Sequence, residues 1–168
     1  MQTNNASLTP ITLRPIGVIR SPHTVAEKTP IQPVFAANAR GTAELQLEYE
    51  EGLVDLEGFS HLWLIYVLHR AGEPCLTVKP FLDDVPRGVF ATRAPCRPNP
   101  IGMSLVRLVR REGPILHLED VDVLDGTPLL DIKPYVTRFD VRDGARCGWQ
   151  EHVDDETARQ RGRRGFEG

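Results

Sequence analysis

Hydrophobic and polar positions alternate along much of this chain with the period of an extended strand. The cleanest run is Thr42–Tyr49, where Ala43, Leu45, Leu47 and Tyr49 alternate with Glu44, Gln46 and Glu48. One face of such a strand is buried and the other meets water. Leu13–Arg20 predicts a strand before it, and Glu50–Gly58 a short helix after it. Phe59–Leu68 is almost continuously apolar (Leu62, Trp63, Leu64, Ile65, Tyr66, Val67, Leu68). Its length and aromatic content favour a strand buried on both faces over a core helix. Further strands are predicted at Thr77–Phe81, Gly88–Thr92, Ser104–Val109 and Ile115–Leu118. Val121–Leu124 and Leu129–Lys133 read as two more, joined by Asp125-Gly126-Thr127-Pro128. Asp-Gly favours a turn because glycine accepts the positive φ the turn needs.

Many short strands separated by Gly and Pro indicate an all-β barrel or sandwich. Residues 21–40 hold Pro22, Pro30 and Pro33 and few periodic apolar positions, so they form a long loop, a kind of segment that is often functional. The expected layout is a loose segment over 1–12, one domain over 13–150 and a basic tail over 151–168. Asp154–Arg164 is a short charged helix or a disordered stretch within that tail, with Arg159, Arg161, Arg163 and Arg164 able to touch nucleic acid.

At 168 residues, with 40% hydrophobic and 26% charged positions, the chain is long enough to bury a core without staples. No run of eighteen apolar residues predicts a membrane helix, and the first residues show no leader pattern. Cys75, Cys96 and Cys147 are odd in number and far apart in sequence, which argues against a disulfide framework or a paired-cysteine zinc site and suits a cytoplasmic protein. The five histidines show no metal-ligand spacing, so no metal is expected. Dinucleotide, phosphate-loop and nucleophile-elbow motifs are missing too; Ser104 lacks the second glycine of an elbow.

A net charge of −3 hides segregation. Arg87, Arg93, Arg97, Arg107, Arg110 and Arg111 occur without an intervening acid, between flanks rich in Glu and Asp. Such a local strip can hold phosphate in an acidic protein. For Arg107, Arg110 and Arg111 the simpler expectation is pairing with the flanking acids. Arg93-Ala94-Pro95-Cys96-Arg97-Pro98-Asn99-Pro100 is the densest constellation. Its prolines remove backbone donors and favour a stiff, extended loop. Two readings stand: a recognition loop presenting Arg93, Arg97 and Asn99, or a crossover whose arginines bind their own chain's carbonyls. Spacing alone favours a plain hairpin turn at Asp122–Pro128, the other reading being carboxylates that grip a ligand's hydroxyl or ammonium groups. Of the histidines at the ends of the apolar strand, His69, with Arg70, has a better claim to a site than His61.

Four blocks make the sequence more specific. They are Ile16-Gly17-Val18-Ile19-Arg20-Ser21-Pro22; Phe59-Ser60-His61-Leu62-Trp63; Gly88–Arg93 running through Arg97-Pro98-Asn99-Pro100-Ile101-Gly102-Met103-Ser104-Leu105; and Asp125-Gly126-Thr127-Pro128 with Asp131-Ile132-Lys133-Pro134-Tyr135. In that order they resemble the TsaA-like (YaeB) family, whose best-known branch is the tRNA methyltransferase TrmO. The resemblance implies a small single-sheet β-barrel with long loops and few short helices, acting as a homodimer. It implies S-adenosylmethionine as cofactor and, as acceptor, N6 of a threonylcarbamoyladenosine beside the anticodon of a tRNA.

Matched motif by motif, the resemblance implies a cofactor pocket drawn from Gln32, Pro33 and Val34, from His69 and Arg70, from Arg93 and Leu105, and from Asp122, Val123, Leu124 and Asp125. Arg97 is assigned to substrate phosphate or carboxylate. Asn99 is a candidate catalytic residue: Asn99-Pro100 is similar to the loop with which other amino-methylating enzymes accept an N–H through an amide and a carbonyl oxygen. Val34 and Arg70 stand where family members often have glycine and glutamine, and the C-terminal domain of the better-known bacterial members has no counterpart here. Two other functions therefore remain: methyl transfer to a small molecule or another RNA, and a non-catalytic S-adenosylmethionine-binding module.

Overall fold

Alternation along a strand becomes an inside and an outside once a sheet closes on itself. In the computed structural model, which describes residues 9–162, six strands do this. They are β1 (Gly17–Arg20), β2 (Gly41–Leu45), β3 (His61–Val67), β6 (Ile101–Glu112), β7 (Ile115–Glu119) and β8 (Thr127–Pro134), closed in the order β1-β2-β7-β6-β3-β8. Every neighbouring pair is antiparallel. A separate two-stranded ribbon joins β4 (Thr77–Val78) to β5 (Arg87–Gly88). Two short helices follow the barrel, α1 (Thr137–Asp140) and α2 (Asp155–Arg161). The expected barrel with long loops and few short helices is what forms.

The inward positions are Ile19, Ala43, Leu62, Leu64, Val106, Leu116, Leu118 and Leu129, all buried. They fill the interior, so the barrel is a packed core rather than a pore. Among the described residues no helix is long and apolar enough to cross a membrane.

Several expected strands take another form. The Thr42–Tyr49 alternation stops as a strand at Leu45, and Leu47–Leu53 turns into a 3₁₀ helix that leaves Leu47 exposed. β3 is buried on one face only; Trp63 and Ile65 point outward, half-buried, with Trp63 edge-on to Tyr135 at 6.2 Å. Its apolar run reflects an outer face partly covered by its own chain, not a second sheet. Leu13–Arg20 is a strand only from Gly17. Of Gly88–Thr92 only Gly88 is in a strand, and Val89–Ala91 forms a 3₁₀ turn. Thr77–Phe81 keeps two strand residues. Ser104–Val109 is the middle of a much longer strand, β6.

Val121–Leu124 is not a strand at all. Val121, Asp122 and Val123 are all buried in succession, which no half-buried strand allows. Bonds from other loops hold the segment instead. The Ser21 hydroxyl donates to the Val123 carbonyl at 2.5 Å, and His23 Nε2 lies 2.9 Å from the Val121 carbonyl. Val121 N–H donates to Ala39 and Gly126 N–H to Ile19. Gly126, at φ +77°, makes the turn its sequence predicted.

The expected tail helix is present as α2, capped by Asp154, whose carboxylate accepts the Thr157 N–H at 2.7 Å. That bond and the Thr157 hydroxyl hold the Asp154 carboxyl below the usual carboxylate range. Past α2, the Gly162 carbonyl accepts Ile31 N–H at 3.0 Å, so the tail braces the long loop of residues 21–40. The loose start and the last tail arginines, Arg163 and Arg164, lie partly or wholly outside the described residues.

Close approach of β1 to β2 depends on Gly17. A Cβ there would stand 2.3 Å from the Glu44 carbonyl oxygen and 2.9 Å from the Leu45 Cα, both backbone atoms that cannot swing aside. Gly17→Ala is expected to lower stability by about 1–3 kcal/mol in urea denaturation. Gly52→Ala, where nothing lies within 4 Å, is expected to cost nothing comparable.

Candidate functional site

At one end of the barrel the inward-facing residues turn from apolar to polar. Along β6 the interior positions run Gly102, Ser104, Val106, Leu108, and across from them β3 brings Tyr66 opposite Gly102. Tyr66 fits because Gly102 has no side chain: a Cβ there would stand 2.2 Å from the Tyr66 ring. The Tyr66 hydroxyl lies 2.9 Å from Ser104 Oγ, and Ser104 donates to Asp122 Oδ1 at 2.5 Å. The single serine proton is committed to the carboxylate, so Tyr66 donates to Ser104. A directed chain, Tyr66 to Ser104 to Asp122, thus anchors a carboxylate that is only 8% exposed.

The two ends of this chain, Tyr66 and Asp122, line a cavity of about 220 Å³, with Ser104 joining them from outside the lining. One wall is the exit from β3, with Leu68, His69, Arg70 and Ala71. Beside it, continuing from the neighbouring strand β6, are Ile101 and Met103, and Arg93, Pro95 and Arg97 of the proline loop. Ile31 and Gln32 come from the long loop, and Val123, Leu124 and Thr127 from the irregular segment. Loops distant in sequence therefore converge where the strand ends leave the core open.

Polar groups around the cavity are oriented. Arg93 donates to the Gln32 side-chain oxygen at 2.6 Å, across 61 positions of sequence. The Thr127 hydroxyl donates to the Leu124 carbonyl at 2.7 Å and lies 3.3 Å from His69 Nδ1. With the hydroxyl proton so placed, His69 Nδ1 is the donor to Thr127. Arg97 donates to the Thr92 and Ala94 carbonyls at 3.1 and 3.3 Å, and its guanidinium lies 6.0 Å from the Phe90 ring centre. Both readings of the proline loop are thus partly met: Arg97 binds its own chain's carbonyls, and the loop still lines a cavity.

Charge is concentrated at this mouth because the outer arginines are spent elsewhere. Arg107 pairs with Glu119, Arg110 with Glu112, and Arg111 with Glu50 and Glu57, as expected. Arg87 grips Asp83 at 2.6 Å and holds that carboxyl below the usual carboxylate range. Arg70, Arg93 and Arg97 form no ion pair among the described residues. A second depression, at the opposite end of the barrel, is shallow and lined by Tyr49 and Leu53 with Glu48, Glu51 and Asp131. Its acids would repel a phosphate ligand, so the arginine end is the candidate site.

Of the residues the sequence singled out, Gln32, His69, Arg70, Arg93, Arg97, Asp122, Val123 and Leu124 line the one cavity. Pro33 and the exposed Val34 continue the long loop beyond it. Leu105 lies on the outer face of β6, next to the inward Ser104. Asp125 accepts the Ser21 N–H and lies 3.8 Å from Arg20, outside the cavity lining. Asn99 is exposed and outside the cavity lining, and both its own carbonyl and that of Pro100 already accept bonds, from Ile101 and Leu68. Of that pair, the side-chain amide is the group left to meet an acceptor N–H. Tyr66 and Ser104 were not singled out for the site. Their signal was a lone polar residue at an inward position of β6, legible only once the strand is known to begin at Ile101. Among the described residues no three or more His, Cys, Asp or Glu side chains are grouped to hold a metal ion.

Residues 18–141 match the family model for the tRNA-methyltransferase O N-terminal domain. The chain belongs to this family. A probable S-adenosyl-L-methionine-binding protein of Pyrococcus abyssi is 57% identical over 141 residues, covering 84% of this chain and 77% of its own. The tRNA (adenine(37)-N6)-methyltransferase of Escherichia coli K12 is 42% identical over 131 residues, covering 72% of this chain and 56% of its own. The crystal structure of TrmO from Pseudomonas aeruginosa superposes with a TM-score of 0.70 at 43% identity, over 84% of this chain and 63% of that one. The chain thus spans less than two thirds of these last two proteins. As a TrmO N-terminal domain, it carries the barrel and the cavity described above.

Removing the shared hydroxyl tests the anchoring chain. Ser104→Ala is expected to lower stability by about 1–3 kcal/mol in urea denaturation, because a buried carboxylate and a phenol lose their common partner. Tyr66→Phe should cost about 0.5–1.5 kcal/mol, and the double variant less than the sum, because the two act through one chain.

Proposed function

We propose that this protein is an S-adenosylmethionine-dependent methyltransferase acting on N6 of threonylcarbamoyladenosine beside the anticodon of a tRNA. The observation that carries the reading is the convergence of a buried carboxylate, arginines without an ion pair among the described residues, and an apolar wall on one cavity in a TrmO-family barrel. Named relatives include both S-adenosyl-L-methionine-binding proteins and tRNA (adenine(37)-N6)-methyltransferases.

The cavity's donor set suits that cofactor. Asp122 offers a buried acceptor to an ammonium, a ribose or an adenine amine, held in place by Ser104 and Tyr66. Arg70 and Arg93 offer planar forks to the amino-acid carboxylate. Leu68, Met103, Val123 and Leu124 supply apolar surface for a purine. When bound, S-adenosylmethionine supplies an electrophilic methyl group on a positively charged sulfur. The protein's task is chiefly alignment. Arg97, already stiffened by its two carbonyl bonds, holds substrate phosphate or the threonyl carboxylate at the rim. The Asn99 side-chain oxygen accepts a hydrogen bond from the N6–H and orients that nitrogen for attack, and the proton released on methylation passes to water. The tRNA meets the mouth where Arg70, Arg93 and Arg97 concentrate positive charge. We place the protein in the cytoplasm, where tRNA is modified. Exposed Val34, Phe90, Ile101 and Met103 around the mouth favour a homodimer that covers them.

The test is transfer of a labelled methyl group from S-adenosylmethionine to tRNA with and without the threonylcarbamoyl mark. Label is expected on marked tRNA alone. Arg97→Ala should raise the KM for tRNA about tenfold or more with little change in kcat. Asn99→Ala should lower kcat about a hundredfold with cofactor affinity unchanged. Cofactor binding without label on either tRNA would contradict the reading.

A further inference from the structure

Two of the three cysteines, 21 positions apart in sequence, meet beside the cavity. Cys75 Sγ lies 2.9 Å from Cys96 Sγ, and Cys75 N–H donates to the Cys96 carbonyl at 3.1 Å. Cys96 sits between Pro95 and Arg97, both in the cavity lining; Cys75 ends the arm that carries His69, Arg70 and Ala71 in the adjoining part of that lining. Neither thiol is fully buried. The third, Cys147, is exposed in a different segment.

We propose that Cys75 and Cys96 form a reversible disulfide that clamps the arm of residues 68–76 to the loop of residues 93–100. A backbone hydrogen bond already sets the two segments side by side. Closing the sulfur pair from 2.9 Å to a bond of about 2.0 Å needs a shift of roughly 1 Å. The oxidant is a low-molecular-weight disulfide such as glutathione disulfide. One cysteine thiolate attacks it and releases one glutathione thiol, leaving a mixed disulfide. The neighbouring thiolate then displaces the second glutathione. The pair loses two protons and two electrons, and the oxidant becomes two thiols. The high local concentration of the second thiol favours the internal bond over a lasting adduct. Reduction by a dithiol reverses it. Hydrogen bonding to Cys96 raises Cys75 above the usual thiol range.

The link ties together two parts of one pocket's lining, so oxidation should slow exchange of whatever the pocket holds. This consequence rests on the proposed cofactor; the cross-link itself does not. The full chain would be equilibrated with glutathione disulfide, alkylated and digested. The expected product is an intrachain Cys75–Cys96 peptide with Cys147 alkylated, reversed by dithiothreitol. It should persist in Cys147→Ser, vanish in Cys75→Ser and Cys96→Ser, and raise Tm by about 5 °C. Lasting glutathione adducts, links through Cys147 or links between chains would overturn the cross-link. On the same samples, release of S-adenosylmethionine should be at least about threefold slower in the oxidised wild type and unchanged in treated Cys75→Ser. Equal release rates would overturn the clamp. Failure of the reduced protein to bind S-adenosylmethionine would count against the proposed function, with the mass measurement still deciding the cross-link.

Discussion

A carboxylate taken out of water must be held by donors, or the group is too costly to keep charged. Asp122 is such a carboxylate, and the site end of this barrel is organised around it. Ser104 reaches it from β6, and Tyr66 steadies Ser104 from β3. That contact needs Gly102 bare, because the tyrosine ring occupies the space a Cβ would take. It also needs the 121–126 segment to leave strand geometry, so that three consecutive side chains turn into the protein. The bonds from Ser21, His23 and Ala39 to that segment supply in cross-links what a strand ladder would have supplied.

The barrel and the loops divide the work. Closure of six strands fixes the interior with packed leucines, isoleucine and valines and provides a rigid rim. Chemistry-bearing residues sit on the segments that leave that rim, each tied to another: Gln32 to Arg93, His69 to Thr127, Arg97 to its own loop. A site built of loops can still be pre-ordered when each loop is bonded to its neighbour, and pre-ordering is what an alignment-driven displacement needs.

Alternation made β2 and the middle of β6 legible, and the apolar run marked β3 while overstating its burial. The sequence misled where a local pattern met a tertiary demand. Thr42–Tyr49 alternates throughout, yet the chain must turn after Leu45 to cap the barrel, and Leu47 is left in water. Val121–Leu124 has strand-forming residues, but side chains from other loops take up two of its carbonyls. The pairing of Arg107, Arg110 and Arg111 with acids followed from charge alone. The assignment of Gln32, His69 and Asp122 to one pocket came from resemblance, since no spacing rule links residues so far apart. Tyr66 and Ser104 escaped because their role exists only across the interior of a closed sheet. The meeting of Cys75 with Cys96 escaped for the same reason: separation in sequence says little about separation in a barrel's loops.

We propose that S-adenosylmethionine binds at the Asp122 end of the barrel. The most direct measurement is a crystal structure of the protein with S-adenosylhomocysteine. The ligand is expected in the cavity between His69 and Arg93, with one of its donors on the Asp122 carboxylate. A ligand found at the acidic depression beside Tyr49 and Leu53, or ordered ligand making no contact with Asp122, would contradict it.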